Sequence, residues 1–426
     1  MRKFLGLASI FGFLAAFIIF ALMDRTFQLI FIAIIFVFTL FTVCFYLLTA
    51  FEEKKPTRSN YFPSLSIIVP SYNSAKTIKE CLQHITSMKY PHKYEIILVD
   101  DGSTDDTVKI ASEFSVKIMH RKQNKGKAAS LNEAIKLATG ELIACIDSDT
   151  YPPKHLLMES IPHMKGDDIG AMTFFITVHK PKTIWQKMQD MEYLSSFGAF
   201  PYLASQFNSI LVTPGPLTIF RAEALKKING FDEKNITEDF EMGLKLHKQR
   251  YRIMYLPINV PTEVPGNFSS LMRQRIRWYR GTIYNIFLYK DFMFNRKYAD
   301  VGTFAFPIIA AYVPITIASF FFVIARAAHF LYEAASGAFY AYQYGLRIPI
   351  LSSFDIFFVK ADMIIFLSFF AFYLLFLMIS LSLIGEKITL KRLYGILMVL
   401  FIYPFTNSAF YVYSTYKEIA GSDLEW

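Results

Sequence analysis

Charge is scarce in this chain. Only 19% of its 426 residues are Asp, Glu, Lys or Arg, while 54% are hydrophobic and 17% aromatic. That balance is too apolar for an ordinary soluble enzyme. Cysteine is scarcer still: Cys44, Cys81 and Cys145 stand far apart. Their spacing makes no zinc or redox motif, and the cytosolic location argued below speaks against disulfides. No Gly-x-Gly-x-x-Gly follows the first strand and no Gly-Lys-Ser/Thr loop occurs, which sets aside dinucleotide and Walker-type sites. There is no internal repeat and no low-complexity tract. The basic excess is a modest +9, and much of it flanks apolar runs. Nucleic acid is therefore not an expected partner. A surface facing anionic lipid and a site for an anionic substrate account for the charge better.

What the chain has is five uncharged apolar runs, residues 4–23, 27–51, 301–325, 363–385 and 393–416. Each is about the ~20 residues that cross a bilayer, so five spans are predicted. The first run follows Arg2-Lys3 and has the alternative of a signal peptide, although no clear cleavage site follows and a second span comes at once. The positive-inside rule keeps Arg2 and Lys3 inside, makes Asp24-Arg25 an outer turn and leaves residues 52–300 cytosolic. The basic 386–392 loop then falls inside and the acidic tail outside. Residues 326–362 mix charges with aromatics and stay ambiguous, with room for an interfacial helix.

Between the spans, strand and helix patterns alternate. Residues 65–70 are a β-branched strand, residues 75–88 have helical periodicity, and Tyr94-Glu-Ile-Ile-Leu-Val-Asp100-Asp101 is a strand ending in acids. Thr104 or Asp105 can cap the next helix. Residues 116–120 make a third strand, and Lys125-Gly126-Lys127 opens another helix. Such alternation implies a parallel sheet with helices on both faces.

The fourth strand is the centre of the reading. Glu141-Leu-Ile-Ala-Cys-Ile-Asp147-Ser-Asp149 is an apolar run that ends in two carboxylates one residue apart. Open α/β sheets bind ligands beyond the carboxyl ends of their strands. Two acids there can hold Mg²⁺ or Mn²⁺ against a diphosphate; the plainer alternative is an Asx turn. Asp100, Asp101, Asp147 and Asp149 together suit a nucleotide held by carboxylates with a metal on its phosphates. Tyr72 can place its ring near the base or pack under its own loop. Lys127 can reach a phosphate or stand as a solvated helix lysine.

Pro70-Ser-Tyr72-Asn73, Val99-Asp100-Asp101-Gly-Ser-Thr-Asp105, Asn124-Lys-Gly-Lys127-Ala-Ala-Ser-Leu-Asn132 and Asp147-Ser-Asp149 resemble, in order and spacing, the first half of a family-2 inverting glycosyltransferase of the GT-A fold. The resemblance implies that Asp101 takes the uracil or ribose of a UDP-sugar, that Asp100 shares that contact, and that Asp149, with Asp147, takes the cation.

The second half narrows this. Thr213-Pro-Gly215-Pro216 reads as a Gly-Pro loop leading into a helix. Thr237 can cap the following helix, with Glu238 and Asp239 in its first turn as dipole compensation. Thr-Glu-Asp also resembles the family's catalytic motif, in which the Asp is the general base. In Arg273-Gln274-Arg275-Ile276-Arg277-Trp278, helical spacing puts Gln274, Arg277, Trp278 and Gly281 on one face. Met272, Ile276, Tyr279, Ile283 and Ile286 cover the other, as on a membrane-surface helix. Gln-x-x-Arg-Trp resembles the signature of processive hyaluronan, chitin, cellulose and poly-N-acetylglucosamine synthases. That resemblance implies Gln274 and Arg277 at the donor diphosphate or acceptor, and Trp278, with Gly215 and Pro216, at the acceptor sugar. No Trp-x-Thr-Lys/Arg gating motif and no appended regulatory domain is found, which departs from the cellulose branch.

The expectation is a GT-A (Rossmann-like) α/β domain inserted between transmembrane helices: residues 1–51 two spans, 52–267 the catalytic domain, 268–300 an interface region, 301–426 about three spans. The expected protein is a multi-pass plasma-membrane enzyme using Mg²⁺ or Mn²⁺ and a UDP-sugar, extending a polysaccharide or, alternatively, adding one sugar to a lipid-linked acceptor. Its oligomeric state is open.

Overall fold

The computed structural model describes residues 25–50, 59–345 and 389–421, with scattered positions between 371 and 387. The expected span at residues 4–23, most of that at 363–385 and the end of the acidic tail lie outside the described residues. The second expected span is helix α1 (Arg25–Ala50). Strand and helix then alternate as β1 (Leu65–Ser71), α2 (Ile78–Thr86), β2 (Glu95–Asp100), α3 (Thr107–Ala111), β3 (Lys117–His120), α4 (Lys127–Leu137) and β4 (Leu142–Ile146). The chain continues through α5 (Leu156–Ser160), β5 (Ile169–Val178), α6 (Ile184–Tyr193), α7 (Phe200–Ser205), β6 (Leu217–Arg221), α8 (Ala222–Lys227), α9 (Glu238–Lys248) and β7 (Arg252–Thr262). It ends in α10 (Phe268–Leu288), α11 (Phe306–Gln343), α12 (Leu390–Leu397) and α13 (Tyr403–Ala420).

The strands form a single sheet in the order β3-β2-β1-β4-β6-β5-β7. β3, β2, β1 and β4 are parallel, as alternating βα units require. Leu65, Ile67 and Val69 pack on one face with α2 residues Ile78, Cys81 and Leu82. Ile68, Ile97 and Val99 pack on the other with Ala128 and Leu131 of α4. Burial on both faces is why these strands read as unbroken apolar runs.

The sheet is not wholly parallel. β6 runs against both β4 and β5. The Thr213–Pro216 segment leads into this strand rather than into a helix; the helix starts only at Ala222. Leu217-Thr-Ile-Phe is β-branched and aromatic, so it suits a pleated, buried position. Because the chain enters β6 beside the exit of β4, with Asp147 N donating to Pro216 O at 3.1 Å, the pair is antiparallel.

Among the described residues, Val301–Gln343 (43 residues) and Arg392–Ala420 (29 residues) are long and apolar enough to cross a bilayer, judged by length and composition. The first continues well past residue 325, into the stretch the sequence left ambiguous. α10 was expected to lay its apolar side on the membrane surface. That side instead packs on α11 and α13: Tyr279 and Ile283 are buried with Val313, Phe410 and Tyr411. Tyr279 stacks on Tyr411 at 3.8 Å between ring centroids, a contact type worth ~0.5–1.5 kcal/mol beyond area burial.

Candidate active site

The carboxyl ends of β1, β2 and β4 form one rim. After β1, Asn73 takes a left-handed φ of 49° and its side-chain oxygen accepts from Thr104 N at 2.9 Å. This joins the turn after β1 to the turn after β2. Tyr72, next to it, is half exposed. Asp100 is fully buried; its Oδ2 accepts from Ser103 N at 3.1 Å and meets His120 Nδ1 at 2.7 Å, while Oδ1 has no partner among the described residues. Asp101 accepts from Lys125 N at 3.0 Å, Gly126 N at 2.8 Å and Arg121 Nη1 at 3.1 Å. It therefore draws the start of α4 towards the end of β2.

That anchoring carries Lys127 over the end of β4. Its Nζ lies 2.5 Å from Asp147 Oδ1 and 3.6 Å from Glu238 Oε1. Burial alone would lower its pKa, but Asp147, Glu238 and Asp239 outweigh burial and hold it above the ordinary lysine value. Gly215 sits against this pair: a Cβ there would lie 2.6 Å from Lys127 Nζ and 3.2 Å from Asp147 Oδ2. Gly215 and Pro216, expected on the acceptor side, thus adjoin the acids after β4.

Asp149 has a weaker local partner, Thr262 Oγ1 at 3.3 Å. Burial first, and the charge of Asp147 second, push its carboxyl up to about 7, against a downward pull from Lys127. Two close carboxylates with one lysine between them remain short of positive charge. Hard oxygen donors in that state suit Mg²⁺ or Mn²⁺, with diphosphate oxygens completing the shell. No group of three or more His, Cys, Asp and Glu with metal-holding geometry exists among the described residues. Asp147 and Asp149 fit a cation that is shared with a phosphate.

Glu238 and Asp239 open α9, where the helix dipole favours negative charge. Thr237 precedes them but caps nothing with its side chain. Its Oγ1 accepts from Asn285 Nδ2 of α10 at 3.0 Å, and Asn235 and Asn285 exchange bonds at 2.8 and 3.3 Å. Gly281 makes this approach possible, since a Cβ there would lie 2.1 Å from Thr237 Oγ1. The Asp239 backbone carbonyl accepts from Thr213 N and Oγ1 at 3.1 and 2.9 Å. Its side-chain Oδ1 accepts from Phe240 N at 2.8 Å. Burial, then Glu238, raise the Asp239 carboxyl to about 6, while Lys127 and Arg277 pull it down.

Lys127, Asp147, Gly215, Glu238 and Asp239 therefore line one pocket. Arg277 lies within electrostatic reach of Asp239. Gln274, Arg277 and Trp278 are partly exposed on α10. Tyr72, Asp100 and Asp101 occupy the neighbouring part of the rim, at β1 and β2.

A family model described as "Glycosyl transferase family 2" matches residues 66–229. Over 306 residues the chain is 30% identical to a poly-beta-1,6-N-acetyl-D-glucosamine synthase of Staphylococcus epidermidis, spanning 70% of this chain and 72% of that one. The chain belongs to glycosyltransferase family 2. A synthase of the same name from Staphylococcus aureus strain COL is 30% identical over 236 residues, and there the chain spans little more than half the relative, 57%. A mannosyltransferase of Pyrobaculum calidifontis, solved with GDP-Man and Mn²⁺, shares the fold with a TM-score of 0.60 and 20% identity; 92% of this chain and 100% of that one are covered.

Several residues of this family 2 glycosyltransferase site carry no motif. Arg121, just past β3, faces acids that end β2; a basic residue at that register is a weak signal. Asn235 and Asn285 are polar and fully buried, yet nothing local marks them. Glu192 and Arg275 form a buried ion pair at 2.6 Å. Nothing in the sequence distinguishes Arg275 from its basic neighbours Arg273 and Arg277, although helical spacing puts it beside Tyr279 and Ile286 on the apolar side of α10.

Proposed function

We propose that this family 2 glycosyltransferase is a membrane-embedded, inverting enzyme that moves the sugar of a UDP-sugar, N-acetylglucosamine in the first instance, onto a growing β-linked polysaccharide. The observation that carries the reading is the meeting of Lys127, Asp147, Glu238 and Asp239 in one pocket with Arg277 beside it. The names of the similar synthases support the sugar and the polymer. In this reading Asp239 is the general base and Glu238 supports it electrostatically. Asp239 accepts the proton of the acceptor hydroxyl while that oxygen attacks the anomeric carbon from the side opposite the diphosphate; the bond to the diphosphate breaks and UDP leaves. Asp149 and Asp147 would hold a divalent cation, Mg²⁺ or Mn²⁺, which when bound would neutralise charge on the leaving diphosphate.

Tyr72, Asp100 and Asp101 hold the nucleoside, and Lys127, Gln274 and Arg277 the diphosphate side. Trp278 stacks on the acceptor, with Gly215 and Pro216 shaping the wall between donor and acceptor. The catalytic domain, residues 52–267, faces the cytosol between membrane helices of the plasma membrane, and α10 joins it to them. The two long apolar helices and the family support this arrangement.

The test is to incubate the purified full chain in detergent with a panel of UDP- and GDP-sugars and Mn²⁺ or Mg²⁺. Nucleoside diphosphate release and product size are then measured. Long β-linked product from one UDP-sugar, dependent on metal, is expected. A product one sugar larger than a lipid acceptor would replace this reading with single addition.

A further inference from the structure

Arg275 is the largest fully buried side chain of the molecule among the described residues. A guanidinium costs several kcal/mol to desolvate and is tolerated only where its partners are held in place. Here the partners are a carboxylate from α6 and two neighbours on α10 itself. Nη2 donates to Glu192 Oε2 of α6 at 2.6 Å. Nη1 donates to Gln274 Oε1 at 3.3 Å. The guanidinium carbon stands 4.1 Å from the Trp278 ring centroid, over its face. Glu192 spends its other oxygen on the hydroxyl of Tyr403, the first residue of α13, at 2.6 Å.

Arg275 thus touches both Gln274 and Trp278, and reaches the C-terminal helix through one carboxylate. Trp278 is braced again by the edge of Phe197 at 6.3 Å. Phe197 lies in a π-helical turn, residues Leu194–Ala199, that directly follows α6. A second set of contacts runs parallel: Tyr279 bonds to Asn407, and Arg280 Nε to Glu418 Oε2 at 3.1 Å. α10 and α13 are therefore registered along their lengths.

We infer that Tyr403, Glu192 and Arg275 form a positioning relay through which the C-terminal helix sets the orientation of Trp278. The inference rests on the proposed acceptor role of Trp278. A fixed ring needs support on the face away from its ligand. A planar guanidinium can cover a ring face in a way an ammonium cannot; here Nη1 and Nη2 stay bonded while Nε has no hydrogen-bond partner among the described residues. The hydroxyl of Tyr403 then sets where Glu192 sits, and so where Arg275 sits. None of the three lines the pocket of Asp147 and Asp239.

The test uses the full chain with Trp185→Phe and Trp426→Phe, which leaves Trp278 as the sole indole. Tyr403→Phe removes one hydroxyl and keeps the ring, so the fold is retained even if Glu192→Gln, which strands the Arg275 charge, does not fold. Arg275→Lys keeps the charge but not the plane. Three quantities are measured: acrylamide quenching of Trp278, UDP affinity in Mn²⁺, and product length at equal UDP release. Tyr403→Phe and Arg275→Lys are expected to raise quenching and to shorten product by about two- to tenfold, the scale of one hydrogen bond; UDP affinity is expected to be unchanged in Tyr403→Phe, which keeps the Arg275 bond to Gln274. Unchanged quenching overturns the relay. So does a loss of UDP affinity in Tyr403→Phe in step with product length, which would mark general damage. A parent protein that adds only one sugar overturns the polysaccharide reading by itself, and the quenching result still decides whether Tyr403 and Arg275 set Trp278.

Discussion

Asp239→Asn should separate activity from stability in opposite directions. An aspartate titrates near 3.8 when unperturbed, but burial and the neighbouring Glu238 raise Asp239 to about 6 in the folded chain. Between those values the folded state binds more protons than the unfolded state, so stability falls as pH rises through the window. Above about pH 6 the full cost is present. About two pKa units at ~1.4 kcal/mol each give ~3 kcal/mol; part of the carboxyl still reaches solvent, so ~1–3 kcal/mol is the working range. Asn removes the charge and keeps the oxygen that accepts from Phe240 N. The variant is therefore expected to melt a few degrees higher than wild type at about pH 7.5, in EDTA and without nucleotide, and the gap should close towards about pH 4. Its turnover should drop by ~10²–10⁴. Wild-type turnover should fall about tenfold per pH unit below about 6, as the base takes up its proton. Thermal melting across a pH series and UDP release on the same samples provide the readout. A variant that melts no higher than wild type at neutral pH, or a gap that persists at low pH, would refute the electrostatic account. Undiminished turnover would refute the base.

Asp149→Ala should abolish the stimulation of UDP binding by Mn²⁺, read by calorimetric titration with and without metal; equal stimulation in both proteins would remove Asp149 from the metal site. Trp278→Ala should keep metal-dependent UDP binding and lose long product, leaving donor hydrolysis or short oligomers; long polymer on size analysis would contradict an acceptor role. Gly281→Ala should drive Thr237 away from α10, at a cost of ~1–3 kcal/mol for overpacking. Because that shift moves the start of α9, turnover should suffer more than UDP affinity, and equal losses in both would argue for simple unfolding.

The first half of the domain was legible because each βα unit is local. The alternation from Leu65 to Asp149 and the acids at strand ends appear where the periodicity puts them, and Lys127 opens its helix. The reversed direction of β6 was not legible. Leu217–Arg221 is apolar, and its orientation depends on which rim the preceding loop occupies, which no local pattern records. The expected side-chain cap at Thr237 failed because Asn285, 48 residues away, claims its hydroxyl. Arg275 and Glu192 are 83 residues apart. Each looks like a surface charge until tertiary packing brings them together. The pocket of Lys127, Asp147, Glu238 and Asp239 could be anticipated as chemistry but not as geometry, since Lys127 reaches it only because Asp101 holds the preceding loop.

The reversed strand also bears on how the chain is made. β1 to β4 consist of short-range units and leave the ribosome first, whereas β6 cannot pair with β4 until about 70 further residues are synthesised. Until then Leu142–Ile146 is a bare edge of apolar sequence, the kind of edge that recruits other chains. The late arrival of Leu217–Arg221 covers that edge and, in the same step, lays Gly215 against Lys127 and Asp147. Maturation of the catalytic rim and protection from aggregation are thus a single folding event. A product truncated before residue 217 would retain the acids after β2 and β4 and yet accumulate as aggregate.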